Sequence, residues 1–526
     1  MSSRLSRFWP VAVSAAAVGA FLVVSQPSSA DPDTADHGGS SLARQLVRDV
    51  TLDGVLRHEE AFQRIASTYG NTRSDSSPGY IASVEYVGTR LRDAGFDVTV
   101  APFQYRGFVA DAVSLAVDGT PRTIVAITFS PSTGPGGVTA PLVAVPQDAT
   151  PGCEATDYAG LDATGKIALI RRGSCTFADK ARIARDAGAV AVVIANNVAG
   201  PPSGTLQLPE NGTIPIGIIN QADGDALFAS GGTAALVLST RVENRTSHNI
   251  LAQTRTGRTD NVVMAGAHLD SVPAGAGIND NGSGSSALLE TALELGPRPR
   301  VTNAVRFAWW GAEELSLVGS RAWVAALTPE QKLDIALYLN FDMIGSPNAA
   351  YFVYDGDNSD GVGAGPGPEG SAAIEAELVG FHARNGVQTE GTDFTGRSDY
   401  GPFIENGIPS GGLFTGAEGI KTQAQAGKWG GQAGVAYDRC YHQACDTMTN
   451  LDRRALERNA DAMAHVVATY AMSTRDVNGE RGRAEQATSR AAAVTAMEAA
   501  RPAREAALAA ETSGHDHIGC GHLLPA

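Results

Sequence analysis

The residues best suited to chemistry lie between Val262 and Asp280, where the chain reads Val-Val-Met-Ala-Gly-Ala-His268-Leu-Asp270 and then Ala-Gly-Ile-Asn-Asp280-Asn-Gly-Ser-Gly. An apolar run of strand character delivers a His and an Asp spaced by one residue. A glycine-rich loop then presents a second Asp just before a helix begins. Open α/β sheets hold their ligands beyond the carboxyl ends of the strands, and His268 and Asp280 both fall there. The pattern recurs downstream. Val305–Trp310 is an apolar run ended by Gly311, Ala312 and the pair Glu313-Glu314, and Ala336–Phe341 is another, ended by Asp342. Further on, Cys440-Tyr441-His442-Gln-Ala-Cys445-Asp446 offers a second His in a loop pinched by two cysteines. Imidazole and carboxylate suit zinc. Two zinc ions roughly 3.5–4 Å apart need about this set, two His, two Asp and one Glu, if one carboxylate bridges them. Neighbouring side chains point apart, so one of the adjacent glutamates can bind metal while the other acts as a general base.

The order His-x-Asp, Asp-Asn-Gly-Ser-Gly, Glu-Glu, Asp-Met and Tyr-His resembles the secreted two-zinc aminopeptidases of the bacterial leucyl aminopeptidase type, relatives of glutamate carboxypeptidase. The resemblance runs from about residue 41 to about 473. It implies a zinc-peptidase α/β fold, a mixed β-sheet sandwiched by helices. It also implies that His268, Asp280 and Asp342 serve one zinc and Asp280, Glu314 and His442 the other, with Asp280 bridging. Glu313 would be the general base that takes a proton from a zinc-bridging water and passes it to the leaving amine. Tyr441 resembles the phenol that steadies the oxyanion. Arg397 sits where relatives use a backbone carbonyl to receive the substrate's amine, although Tyr400 follows where relatives often carry His. Asp270 would hold the ring of His268 from behind, a role the chemistry also calls for, because a metal-bound His needs a partner on its other nitrogen.

These motifs must be positioned by a larger frame. Arg4 and Arg7 precede an apolar segment from Val11 to Val24, and Pro27-Ser-Ser-Ala30 supplies small residues, the pattern of a secretory signal peptide over residues 1–30. The apolar stretch is shorter than the ~20 residues of a membrane span. No Cys stands at the cleavage site, so export to the extracellular space without a membrane or lipid anchor is expected. The charge of −16, from 40 basic and 56 acidic residues, argues against nucleic acid and anionic membranes as partners. Of five cysteines, Cys440 with Cys445 and Cys153 with Cys175 are plausible disulfides for an oxidising compartment, leaving Cys520 over.

Residues 41–109 read as two helices and a strand. Ile81, Val84, Val87 or Gly88, and Leu91 recur at helical spacing, and Asp97–Phe103 alternates as a strand. The catalytic motifs begin far beyond, so residues 110–242 form an insertion. Its short strands and Gly/Pro turns suggest a small β-rich domain. The run Gly173-Ser-Cys-Thr-Phe, Lys180 and Gly188-Ala-Val-Ala-Val-Val resembles the protease-associated domain of several relatives, and it offers no convergent His or carboxylate cluster. Residues 243–473 then carry every expected metal ligand. They include helices over 285–295 and 315–327 and a closing amphipathic helix with Leu456, Ala460, Met463, Val467 and Tyr470 on one stripe. The acidic loop Asp355–Gly370 lacks the Asp-x-Asp-x-Asp-Gly spacing of a calcium loop, so calcium has no motif behind it. Residues 474–526, rich in Ala, Arg and Glu, read as a low-complexity tail, a lone helix or disorder.

The expected reaction is removal of an amino-terminal residue, large and apolar by the resemblance, from a peptide or protein. A carboxypeptidase of the glutamate carboxypeptidase type is the nearest alternative. Such relatives tend to carry Pro after the bridging Asp and need a cationic pocket, whereas here Asn281 follows and no Arg cluster appears near the motifs. Glutaminyl cyclisation, which uses one zinc on a similar fold, is disfavoured by the full ligand set. A silent binding protein would be expected to have lost ligands or the base.

Overall fold

A computed structural model describes residues 33–198, 202–479 and 482–514. The signal-peptide reading, Cys520 and the tail's His515, His517 and His522 lie outside them. The frame is a mixed sheet in the order Glu390–Thr392, Phe352–Tyr354, Ser410–Phe414, Ile335–Phe341, Arg258–His268, Asn303–Trp310, Thr233–Gln253, Asp97–Val117. Its three central strands, 335–341, 258–268 and 303–310, run parallel. Their near-continuous apolar runs follow from burial on both faces. Val263, Ala265, Phe307, Trp309, Leu337 and Leu339 pack to one side under helices Leu52–Thr68, Pro78–Asp93, Gly284–Leu295, Ser371–Arg384 and Arg453–Met472. Met264, Ala308, Trp310 and Tyr338 pack to the other, with Val324, Phe403 and Met497. The α/β sandwich expected from the sequence is the observed architecture.

The helix stripes need two corrections. The segment before the first strand forms three helices, 33–49, 52–68 and 78–93, rather than two. In the third, Tyr80 lies inside with Val84, Val87 and Leu91, while Ile81 is 50% exposed. The helix starts at Pro78, capped by Ser77, and its buried face runs Tyr80, Val84, Val87, Leu91, one residue round from the face Ile81 would mark. The stripe of the closing helix 453–472 is buried at all five expected positions.

The inserted domain hangs on two strands. Asp97–Val117 and Thr233–Gln253 pair antiparallel along their whole length, with a register shift between Ala110 and Ala112. Their one end joins the main sheet through Thr233–Gln253 and Asn303–Trp310; their other end carries Val138–Ala144, then Ile167–Arg171, Ala191–Ala195, Ile216–Ile219 and Ile124–Ala126. Helices Phe177–Asp186 and Gln221–Ser230 pack on this second sheet. Both expected disulfides are present, Cys153–Cys175 in the insert and Cys440–Cys445 in the main domain.

The expected tail is, over its described part, docked. Val477 is buried in a short helix 475–478, and helix Arg483–Gly514 lies against helix Gly401–Glu405, with Met497 buried. Few large apolar residues are needed because alanines allow close approach. A Cβ on Gly407 would stand 2.8 Å from Arg490 O and 3.1 Å from the Ala493 methyl.

Candidate metal centre

The parallel register brings the motifs together. Trp310 stands opposite His268, and Asn340 opposite Gly266, so Asp342 comes level with His268 at the adjoining strand end. Gly266 must be glycine, since a Cβ there would meet Tyr338 Oη at 2.4 Å and Trp310 Nε1 at 2.7 Å. The turn 278–283 then swings Asp280 over this edge. Gly284, at the start of the following helix, fits against Phe341 O, which a Cβ would approach to 2.2 Å.

The five candidate ligands and Glu313 converge. His268 Nε2 lies 3.2 Å from Asp280 Oδ1, 3.3 Å from Asp342 Oδ1 and 3.9 Å from Glu313 Oε2. His442 Nε2 lies 3.2 Å from Asp280 Oδ2 and 3.0 Å from Glu314 Oε2. Each oxygen of Asp280 therefore faces a different imidazole. Glu314 Oε1 and Asp342 Oδ1 are buried and accept no hydrogen bond. Buried carboxylate oxygens left so are costly unless a cation satisfies them, and two imidazoles with three carboxylates are a donor set that suits zinc. Burial alone would lower the pKa of both histidines, but Glu313, Asp342 and Asp280 around His268, and Glu314 and Asp280 around His442, raise it well above the free value.

Asp270 is placed differently from the expectation. His268 Nδ1 meets the main-chain carbonyl of Asp270 at 3.0 Å, with the carboxylate at 3.8 Å. The carboxylate instead accepts from the backbone N–H groups of Glu313 (3.1 Å) and Glu314 (3.3 Å). It holds the turn that aims the two glutamates in their separate directions. Tyr441 stacks on the His442 ring at 3.8 Å, and Arg397 is paired with Glu418 at 3.0 Å. Both line a cleft of about 70 Å³ together with the candidate ligands, Glu313, Met343, Tyr354, Phe414 and Ala417. The acidic loop places Asp355, Asp357 and Glu375 near one another, but they accept from the N–H groups of Gly356, Asp357, Ser359 and Asp360.

Three supports escaped sequence reasoning. Arg73, fully buried in an otherwise polar Asn-Thr-Arg-Ser segment, donates to the carbonyls of Leu269, Ala276 and Gly277, the loop joining His268 to Asp280. Ser398 Oγ donates to Asp342 Oδ2 at 2.6 Å and accepts from Asn340 Nδ2 at 2.9 Å. Asp446 accepts from the N–H groups of Asn279 and Asp280 at 2.8 and 3.0 Å; burial pushes its carboxyl up to about 8, with Asp438 adding to the shift. Arg73 and Ser398 resemble surface residues in sequence. Asp446 alone had a signal, standing four residues past His442.

Residues 249–467 match the model of Peptidase family M28, and residues 138–227 match the PA domain. The chain is 44% identical over 481 residues to the probable lipoprotein aminopeptidase LpqL of Mycobacterium tuberculosis, covering 90% of this chain and 96% of that protein. It is 47% identical over 399 residues to the probable leucine aminopeptidase 2 of Aspergillus fumigatus, covering 74% and 77% of the two chains. The solved zinc aminopeptidase BSAP of Bacillus subtilis superposes with a TM-score of 0.61 at 26% identity, covering 78% of this chain and 94% of that one.

Proposed function

This chain belongs to peptidase family M28 with an inserted PA domain, and from that footing we propose that it is an exported enzyme that removes large apolar residues from peptide amino termini with two zinc ions. Its relatives make it a zinc-dependent aminopeptidase. The observation that carries the two-ion reading is Asp280, whose two oxygens each lie 3.2 Å from the Nε2 of a different histidine. His268, Asp280 and Asp342 would hold one ion, and Asp280, Glu314 and His442 the other.

When bound, the zinc ions supply Lewis-acid polarisation of the scissile carbonyl and lower the pKa of water. The rest falls to the chain. Glu313, aimed into the cleft beside His268, takes the proton of the attacking water and returns it to the leaving amine. Asp270 keeps Glu313 and Glu314 apart through their N–H groups. Tyr441 lines the same cleft and donates from its hydroxyl to the developing oxyanion. Glu313 and Asp342 give the cleft a negative character that selects a protonated amino terminus, whose pKa is about 8. Arg397, tied to Glu418, lines the cleft at the place where its main-chain carbonyl would receive the substrate's amine. Met343, Tyr354, Phe414 and Ala417 supply the apolar lining that supports a preference for residues such as Leu. For localisation, the lipoprotein relative supports passage to the cell envelope. Release outside the cell is the finer reading proposed here.

One comparison tests the proposal: hydrolysis of a Leu-led peptide with its amino terminus free, acetylated, or free with an amidated carboxyl terminus. Cleavage that needs only the free amine is expected. Cleavage that needs the free carboxylate would make the enzyme a carboxypeptidase and overturn the choice of terminus.

A further inference from the structure

Two cavities meet at Glu314. One is the cleft of about 70 Å³ that holds the candidate ligands; the other, of about 800 Å³, opens between the peptidase domain and the insert. Its walls come from both domains. Phe108, Phe129 and Leu208 face it from the insert side, and Val272, Leu315 and Val318 from the peptidase side. Leu315, directly after Glu314, is 40% exposed, an unusual state for a large apolar residue beside a catalytic cleft. The arginines on the walls are each held by a carboxylate. Arg321 makes a two-pronged pair with Glu405 at 2.7 and 3.0 Å, Arg106 pairs with Glu210, and Arg245 with Glu243. Phe129, Gln207 and Ser316, all lining it, hold φ of 67°, 69° and 80°, a region that side-chain-bearing residues rarely occupy and that gathers at ligand clamps.

The reaction explains why two unequal cavities should adjoin. An aminopeptidase substrate has one residue before the scissile bond and all the rest after it. The small cleft carries Glu313 and the candidate ligands, so the residue before the scissile bond belongs there. Resting on the aminopeptidase reading above, we infer that the interdomain cavity binds the polypeptide on the leaving-amine side and selects apolar side chains in the residues that follow the first. With Arg106, Arg245 and Arg321 already paired, the wall beyond Glu314 offers a following residue chiefly apolar contact. The insert thereby acts as a specificity element: it brings Phe108, Phe129 and Leu208 to a surface whose other half is the loop after Glu314.

Three substrates, each beginning with Leu, test this: a chromogenic anilide with no following chain, a pentapeptide with Phe and Leu after the first residue, and one with Ser and Asn there. The apolar pentapeptide is expected to have the lowest KM. Leu208→Ser and Phe108→Ser should each raise that KM roughly tenfold, the loss expected when one apolar side chain is no longer buried. Their kcat and their anilide hydrolysis should stay at the wild-type level. Because a polar residue at Phe108 can disturb the insert's core, Leu208→Glu supplies the gain-of-preference arm. It should favour a pentapeptide with Lys in place of Phe, a result that misfolding cannot produce. Equal KM for the two pentapeptides, or no response to either Leu208 variant, would overturn the assignment. Failure of the wild-type enzyme to cleave the anilide at all would instead strike the aminopeptidase reading beneath it.

Discussion

The two halves of the candidate metal centre are built in opposite ways. On one side, His268 and Asp342 stand at the ends of adjacent parallel strands in the middle of the sheet, and their spacing is inherited from the register. On the other, His442 comes from a stretch without helix or strand, in the left-handed region at φ 58°, inside the short loop closed by Cys440–Cys445. That loop has to be fastened by other means. Asp446 grips the N–H groups of Asn279 and Asp280, and Asp438 accepts from the side chains of Asn279 and Asn450. A sheet positions ligands as a by-product of folding; a loop does so only with a covalent clasp and buried carboxylates.

Asp280, shared between the halves, gives the largest expected effect. Asp280→Ala should empty both sites and reduce turnover by more than ~10⁴-fold, because the metals' contribution is lost along with the general base's ~10²–10⁴. Zinc content measured beside activity checks this, and full occupancy in the variant would break the shared-ligand reading. Glu313→Gln separates chemistry from binding. Turnover is expected to fall ~10²–10⁴-fold while both ions stay bound. Normal turnover would remove Glu313 from the mechanism.

The contrast between the halves also governs what could be read from sequence. His268, Glu313, Glu314 and Asp342 were legible because each ends an apolar run, and strand ends are where open sheets collect their ligands. His442 had no strand to announce it and was found only through its flanking cysteines and its likeness to a family motif. The helices are legible by period, although the spacing points Ile81 inward where Tyr80 occupies that face. What lay hidden depends on contacts distant in sequence. Nothing around Arg73 distinguishes it from a solvated arginine, yet it is fully buried against a loop about 200 residues away. The docked tail escaped because alanine-rich helices carry little apolar signal even where they pack closely.

Removing the clasp should therefore affect the halves unequally. Closing a loop as short as Cys440–Cys445 restricts the chain by about 2 kcal/mol. In the double variant Cys440→Ser/Cys445→Ser, the ion held by His442 and Glu314 should bind roughly 30-fold more weakly, and the ion beside His268 and Asp342 should be little changed. Two-step zinc titration reads this directly. Equal weakening of both steps would show that the halves are one unit.

Protons probe both halves at once. An imidazole whose folded pKa lies above its free value of about 6.5 keeps its proton, and the stability that proton contributes, below the free value and loses both as pH rises through the raised one. Both His268 and His442 are of this kind in the metal-free protein. Zinc must displace these protons, so affinity should rise with pH by about tenfold per unit for each proton displaced, through the free value of about 6.5 and on until the raised pKa is passed. Calorimetry in buffers of different ionisation enthalpy counts the protons released. Binding without proton release would contradict the raised pKa of the two histidines.

The smallest expected effect falls on the half that seems to need no help. Trp310 Nε1 donates to Tyr338 Oη, Tyr338 Oη to Asn340 Oδ1, Asn340 Nδ2 to Ser398 Oγ, and Ser398 Oγ to Asp342 Oδ2, a line from the sheet interior to the candidate ligand. Outer partners of metal ligands commonly contribute ~10–100-fold in affinity. Ser398→Ala should lie at the low end, about tenfold, because the strand backbone still delivers Asp342 and its other oxygen still faces His268. The weakened step should be the His268-side ion, with the His442-side ion unaffected, the mirror image of the cysteine variant. If Ser398→Ala weakened binding as much as loss of the disulfide, the sheet alone would not be what places Asp342, and the division between a self-positioning half and a fastened half would fail.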